Sequence, residues 1–209
     1  SRCGKKLKVV GIANSSRYLL EPSGLSLENL IQRLKEEGEL TKDGLFFEKL
    51  HSISLDNSVF VDCTASKEVP LRYVQLLRSK YSIVACNKIG FSLPYRQYEA
   101  IMSAAHENGM SVKFETTVGA ALPILETIER SVNSGDEITS IQAVLSGTLN
   151  YIFSTYKGEE GDSFAQVVAR AKELGYTEPD PLIDLSGVDV LRKLIIASRH
   201  AGVAIEEED

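Results

Sequence analysis

Short apolar runs alternate with amphipathic stretches along the first part of the chain. Residues 7–13 (LKVVGIA) are mostly apolar and β-branched and predict a buried strand. Residues 25–37 carry apolar side chains at 27, 30, 31 and 34, the spacing of an amphipathic helix. Residues 59–62 (VFVD) predict a second strand closing on Cys63 and Thr64, residues 69–80 a helix, and residues 82–85 (SIVA) a third strand. A further helix over 95–108 stops at Gly109, in the position of a C′ glycine, and residues 111–114 predict a fourth strand. Strands alternating with helices imply a parallel sheet flanked by helices. Their nearly continuous hydrophobic character predicts cover on both faces. In such sheets ligands lie beyond the carboxyl ends of the strands, here residues 13–15, 63–66 and 86–88.

The pattern changes near Ala120. Helices are predicted over 122–134, 150–156, 164–174 and 188–200, with a strand over 139–145 (TSIQAVL) and a polar loop over 158–162. The organisation expected is therefore α/β: a Rossmann-like domain over residues 1–120, then an α+β substrate-binding domain over 121–209. The sequence has no internal repeat and no low-complexity segment.

Composition removes several function classes. A chain of 209 residues, 43% hydrophobic and 25% charged, can bury a core. Its net charge of -6 argues against nucleic-acid binding, which needs clustered Lys and Arg. No apolar run approaches the roughly 18 residues of a membrane span, and no apolar h-region follows the first residues as in a secretory signal. Cys3, Cys63 and Cys86 are odd in number and lack CxxC spacing, which points to a reducing compartment without a disulfide framework or zinc site. His51, His106 and His200 have no metal spacing and read as surface or helix-end residues.

Candidate chemistry falls in a few segments. Asn14-Ser15-Ser16-Arg17 offers an Arg and no acid after an early strand, which favours the 2′-phosphate of NADP over the ribose of NAD, although a plain polar turn would look the same. Lys88 follows a strand and serves either as a proton carrier or phosphate contact, or as an ordinary surface lysine. Residues 114–123 join a strand to a helix through small residues, beginning with Glu115. That suits a hard cation held by oxygens, or simply tight packing. Residues 175–193 are the densest stretch. Pro179 and Pro181 predict an extended loop carrying Glu178, Asp180 and Asp184, while Asp189 and Lys193 share a helical face at i,i+4. Ser186 and Asp189 also have the spacing of a capping box. Thr148 either caps the following helix or hydrogen-bonds a substrate.

Together these segments resemble homoserine dehydrogenases, in particular the dehydrogenase part of bifunctional aspartokinase–homoserine dehydrogenases. The matching stretches are GIANSS, VFVDCTAS, NKIG, ETTVGAALP, LSGTLNYIF and GYTEPDPLIDLSGVDVLRK, in family order over nearly the whole chain. The resemblance implies NAD(P)-dependent interconversion of L-aspartate 4-semialdehyde and L-homoserine in the aspartate-derived pathway to threonine, methionine and isoleucine. It implies Glu178 and Asp189 as substrate-binding acids, helped by Asp184 and Thr148, with Lys193 as proton donor and acceptor. Lys88 is implied as the second active-site lysine, near cofactor and substrate. Ala13, Asn14, Thr64, Lys88 and Gly175 are implied as contacts to NADP, or NAD. Glu115, Val118, Ala120 and Leu122 are implied as a sodium site made mostly of backbone oxygens. A homodimer or higher homo-oligomer is implied as well, in the cytoplasm or, for a plant protein, the plastid stroma.

The chain departs from the family pattern at both ends. A GxGxxG turn that seats a pyrophosphate on a helix N-terminus is absent, and the chain begins at what the resemblance makes the second strand. It stops before the family's remaining dimerisation strands. The Rossmann-type sheet is therefore expected to be incomplete, with unpaired edges and weak cofactor binding by residues 1–209 alone. A catalytically silent piece keeping only substrate or subunit contacts is the alternative reading.

Overall fold

The computed structural model describes residues 4, 6–41, 44–53, 55–177 and 180–209, with the side chain of Glu159 excepted. Cys3 and Glu178 lie outside the described residues. Strands β1 (Gly11–Ala13), β2 (Arg17–Leu20) and β3 (Glu39–Leu40) form an antiparallel sheet in the order β1-β2-β3. The buried strand predicted over 7–13 is corrected here. It is ladder-paired only from Gly11, is half-buried, and leaves Leu7 94% exposed. It also runs antiparallel to its neighbour instead of joining the parallel sheet. The cause is local. The Asn14 side-chain oxygen accepts the backbone N–H groups of Ser16 and Arg17, both at 2.8 Å, and so reverses the chain.

Helix α1 (Leu30–Glu36) is shorter than the pattern over 25–37 predicts. Asn29 is left-handed at φ 54° and sits at its N-cap, so the helix cannot extend back through it. Leu34 is buried, while Leu27 and Ile31 of the predicted apolar stripe are exposed. Helix α2 (Leu45–Ser52), not predicted from periodicity, buries Phe46 and Leu50.

The second sheet is parallel. Strands β4 (Ser58–Asp62), β5 (Tyr81–Ala85) and β6 (Val112–Lys113) lie in the order β4-β5-β6, with Asp62 opposite Ala85. A 3-10 turn over Val69–Arg72 leads into α3 (Tyr73–Arg78), and α4 (Ile89–Ser92) leads into α5 (Tyr95–Asn108). Helices α3 and α5 pack on each other, and α3 packs on β5. Gly109 takes φ 66° at the end of α5, as its C′ position demands. Cover on both faces of the sheet was expected. Instead Val59, Val61 and Val84 are exposed, while Ile83 and Ala85 point into the core.

Helices dominate the rest: α6 (Ile124–Asn133), α7 (Gly147–Thr155), α8 (Phe164–Glu173), α9 (Pro181–Leu185) and α10 (Val188–His200). The strand predicted over 139–145 is not formed. Residues 139–144 are exposed and have no ladder partner among the described residues, and an apolar alternation without a neighbouring strand leaves its backbone to water. The extended loop predicted to carry Asp180 and Asp184 is also corrected. Asp180 accepts Leu182 N–H at 3.0 Å as an N-cap, Pro181 takes the first helical position, and Asp184 stands on α9 itself. Ile196 and Ala197 of α10 enter the same core as Tyr73, Phe91 and Phe114, so the two halves share one hydrophobic interior.

Candidate active site

The carboxyl ends of β4 and β5 are tied together by a buried polar network. Asp62, 1% exposed, closes β4 where the apolar run ends. Its carboxyl accepts the Tyr73 hydroxyl at 2.6 Å, the Asn87 amide at 3.1 Å and, through its other oxygen, the Thr64 backbone N–H at 2.8 Å. Asn87 donates further to Thr64 Oγ1 and to the Ser66 carbonyl. Burial, and then Asp62 itself, push the Tyr73 phenol well above its ordinary range, so its proton stays in place as the donor. The turn carrying Thr64 and the turn carrying Lys88 are thereby fixed to each other. Sequence reasoning named Thr64 and Lys88, placed Asn87 at the ligand edge without a role, and passed over Asp62 and Tyr73. The one available signal was an acid terminating an apolar strand.

Lys88 leaves this network towards α10. Its Nζ lies 3.2 Å from Asp189 Oδ1, and Lys193 Nζ lies 2.7 Å from Asp189 Oδ2. Lys193 also donates to the Leu145 carbonyl at 2.7 Å, a contact no sequence pattern announced. Two ammonium groups thus flank one carboxylate, from residues 88, 189 and 193. Partial burial works to raise the Asp189 pKa, but hydrogen bonds and charge from Lys193 and Lys88 outweigh it and hold the carboxyl below its ordinary value. The capping-box arrangement is not formed. Gly187, at φ 72°, is the N-cap of α10, and the Asp189 side chain faces the lysines.

Thr148 is buried in the first turn of α7. Ser146, not Thr148, caps that helix, accepting Leu149 N–H at 3.1 Å. The Thr148 hydroxyl is shared between the Tyr176 carbonyl and Asp184 Oδ1, the latter at 3.0 Å. Gly175 takes φ 75° just past the end of α8, with open space where a Cβ would project. Thr148 and Asp184 are therefore brought together, whereas Glu178 lies outside the described residues.

Ala13 ends β1, and the Asn14 side chain is engaged in its own turn. Arg17 stands on β2 and donates to the Gly38 carbonyl. Glu115 opens a 3-10 turn, and its two carboxyl oxygens accept the Leu125 and Glu126 N–H groups at 2.9 and 2.8 Å, capping α6. Ala120 is left-handed at φ 53°. The carbonyls of Glu115 and Leu122 each accept one backbone N–H, from Val118 and Ile124, and keep a second lone pair.

A polar edge at the carboxyl ends of a parallel sheet is where folds of this kind place a ligand, and here it faces two paired lysines. Comparison with known proteins gives the family. Residues 2–115 match the NAD binding domain of homoserine dehydrogenase, and residues 123–209 match homoserine dehydrogenase proper. The chain belongs to the homoserine dehydrogenase family. It is 39% identical over 204 residues to bifunctional aspartokinase/homoserine dehydrogenase 2, chloroplastic, of Zea mays, a match covering 97% of this chain and 22% of that protein. It is 40% identical over 214 residues to the homoserine dehydrogenase of Emericella nidulans, covering 97% of this chain and 58% of that protein. A hyperthermophilic archaeal homoserine dehydrogenase solved in complex with NADPH superposes with a TM-score of 0.74 at 25% identity, over 92% of this chain and 60% of that one. The chain thus spans about a fifth of the length of the maize relative and well over half that of the fungal one.

Proposed function

We propose that the protein interconverts L-aspartate 4-semialdehyde and L-homoserine with a nicotinamide cofactor, NADP ahead of NAD, in the aspartate-derived pathway to threonine, methionine and isoleucine. The observation that carries this reading is the Lys88–Asp189–Lys193 cluster, placed by α10 against the carboxyl end of a parallel sheet. The polar ends of β4 and β5 fit such a cofactor, with Thr64, Lys88 and Gly175 as its nearest contacts and Ala13 and Asn14 at the first sheet's edge. The nicotinamide, when bound, supplies the hydride chemistry.

This chain's own residues do the rest. Lys193 takes the hydroxyl proton of homoserine in one direction and returns it in the other. The Leu145 carbonyl and Asp189, each 2.7 Å from its Nζ, hold that nitrogen in place while the proton moves. Glu178 and Asp189 hold the substrate ammonium. Asp184 and Thr148 brace that pocket through their mutual hydrogen bond. Fixing the amino group orients the reacting carbon, which lowers the barrier by supplying orientation before the chemical step. Main-chain oxygens of Glu115, Val118, Ala120 and Leu122 are a donor set that suits a hard monovalent cation such as sodium, and would hold it beside the start of α6. The working protein is taken to be a homo-oligomer of the cytoplasm or plastid stroma. Among the described residues no helix is long and apolar enough to cross a membrane.

The test is a homoserine-dependent rise in reduced-cofactor absorbance with the full-length protein, measured with NADP and with NAD. No turnover with either, in protein that binds NADPH, would reject the reading.

A further inference from the structure

Two cysteines lie side by side where the turns of the proposed cofactor edge begin. Asp62 of β4 is opposite Ala85 of β5 in the last rung of the ladder, which the Cys86 N–H to Asp62 carbonyl bond closes at 3.0 Å. Cys63 and Cys86 are therefore the next residues in register, on the face that also exposes Val61 and Val84. Both are free and exposed. Neighbouring strands lie about 4.8 Å apart, within the roughly 4.4–6.8 Å between Cα atoms that a disulfide spans. The residues around the pair cannot drift apart, because Asn87 donates to both Asp62 and Thr64.

We infer that Cys63 and Cys86 form a dithiol site that a peroxide-class oxidant converts into a cross-strand disulfide, and that the bridge impairs the adjacent cofactor edge. The second half rests on the function proposed above. In the reaction, one cysteine sulfur attacks a peroxide oxygen. The O–O bond breaks, one water leaves and a sulfenic acid forms. The other sulfur then attacks the sulfenic sulfur, the S–S bond forms and a second water leaves. The two thiols together lose two electrons and two protons, and the peroxide is reduced to water. Partial burial, then Cys86 and the Asp62 carboxyl, push the Cys63 thiol up, which favours its protonated form at rest. A bridge would pin the start of the Thr64 turn to the start of the Asn87-Lys88 turn and replace two exposed polar thiols with a rigid link. Both turns carry groups assigned here to the cofactor.

The experiment uses the reduced full-length protein, treated with hydrogen peroxide, alkylated and digested with trypsin without reductant. The expected product joins peptide 50–67, which holds Cys63, to peptide 81–88, which holds Cys86. NADPH binding and homoserine turnover are expected to fall in parallel with that product and to return with dithiothreitol. Cys86→Ser should abolish both the linked peptide and the reversible loss, while the peptide map of the unsubstituted protein needs no variant to fold. Finding both peptides singly alkylated at a peroxide dose that oxidises the protein's methionines, or Cys63 linked to Cys3, would overturn the dithiol site. A linked peptide with NADPH binding unchanged would overturn its effect on the cofactor edge. Reduced protein that binds NADPH but ignores homoserine would reject the proposed function, and the peptide map and NADPH binding would still decide the dithiol site.

Discussion

Asp189 is the residue on which the candidate site turns. It holds Lys88 through one oxygen and Lys193 through the other, so its charge offsets the repulsion of two neighbouring ammonium groups. Removing Lys193 should leave the fold intact and remove the proton carrier. Lys193→Ala is expected to lower homoserine turnover by roughly 10²-fold or more, the usual scale of acid–base removal, with a smaller change in apparent substrate affinity. Turnover near that of the unsubstituted enzyme would instead make Lys193 a surface partner of Asp189. The acids should act differently. Glu178→Gln and Asp189→Asn are expected to weaken homoserine affinity while an NADPH titration stays nearly unchanged, and equal losses for both ligands would point to a folding role. The depressed Asp189 pKa also sets a pH window. A group whose folded-state pKa lies below its unfolded value of about 3.9 contributes stability that is fully present above that value and is lost as pH falls through the folded pKa. The destabilisation caused by Asp189→Asn should therefore be constant from neutral pH down to about 5 and should shrink below about 4. Urea unfolding of both proteins across that range is the check.

At the scale of elements, legibility followed burial. Helices α5, α8 and α10 were readable nearly to the residue, because each has a regular apolar stripe that packs against the rest of the protein and a clear end. Two segments were misread, one for want of a strand neighbour and one because of a local turn. Residues 139–145 alternate like a strand but have no ladder neighbour among the described residues, and residues 7–13 are turned back by the Asn14 side chain, which periodicity does not register. In the site, Lys193 and Asp189 were legible because i,i+4 spacing on a helix is local geometry. Their joining to Lys88 is a tertiary contact and was legible only through the family resemblance. The Asp62 network escaped for the same reason, since Tyr73 and Asn87 reach Asp62 from different elements. That network makes a stability prediction. Tyr73→Phe removes a hydroxyl from a fully buried position and leaves Asp62 one donor short, so it should cost about 1–3 kcal/mol. The loss should appear as a lower urea midpoint with an unchanged denaturant slope. A cost near zero would mean that water or a rotated side chain replaces the phenol.

The molecule as a whole is held together across its length by Arg199. This side chain, 1% exposed near the end of α10, donates to the carbonyls of Phe91 and Leu93 beside α4 and to the carbonyl of Ile205, and pairs with Glu206 at 3.1 Å. Glu206 in turn accepts the Tyr95 N–H that opens α5. A guanidinium provides the several donors in fixed directions that such a junction requires, which a lysine cannot supply. The chain's last residues are thereby fastened to the helices that carry the parallel sheet, and Ile196 and Ala197 add the apolar part of the same junction. It follows that residues 1–120 and 121–209 should not unfold separately. Arg199→Ala would leave the half-exposed Glu206 carboxylate and three carbonyls without their donor, a change on the scale of about 1–3 kcal/mol for polar groups left unpaired. If the junction couples the halves, the full-length protein should show coincident loss of helical signal and of tyrosine near-ultraviolet signal on heating, and Arg199→Ala should separate the two curves as well as lower them. Arg199→Lys should recover only part of the loss, because one ammonium cannot reach all of these acceptors. Curves that are already separate before substitution would show that the halves are independent, with Arg199 merely decorating their boundary.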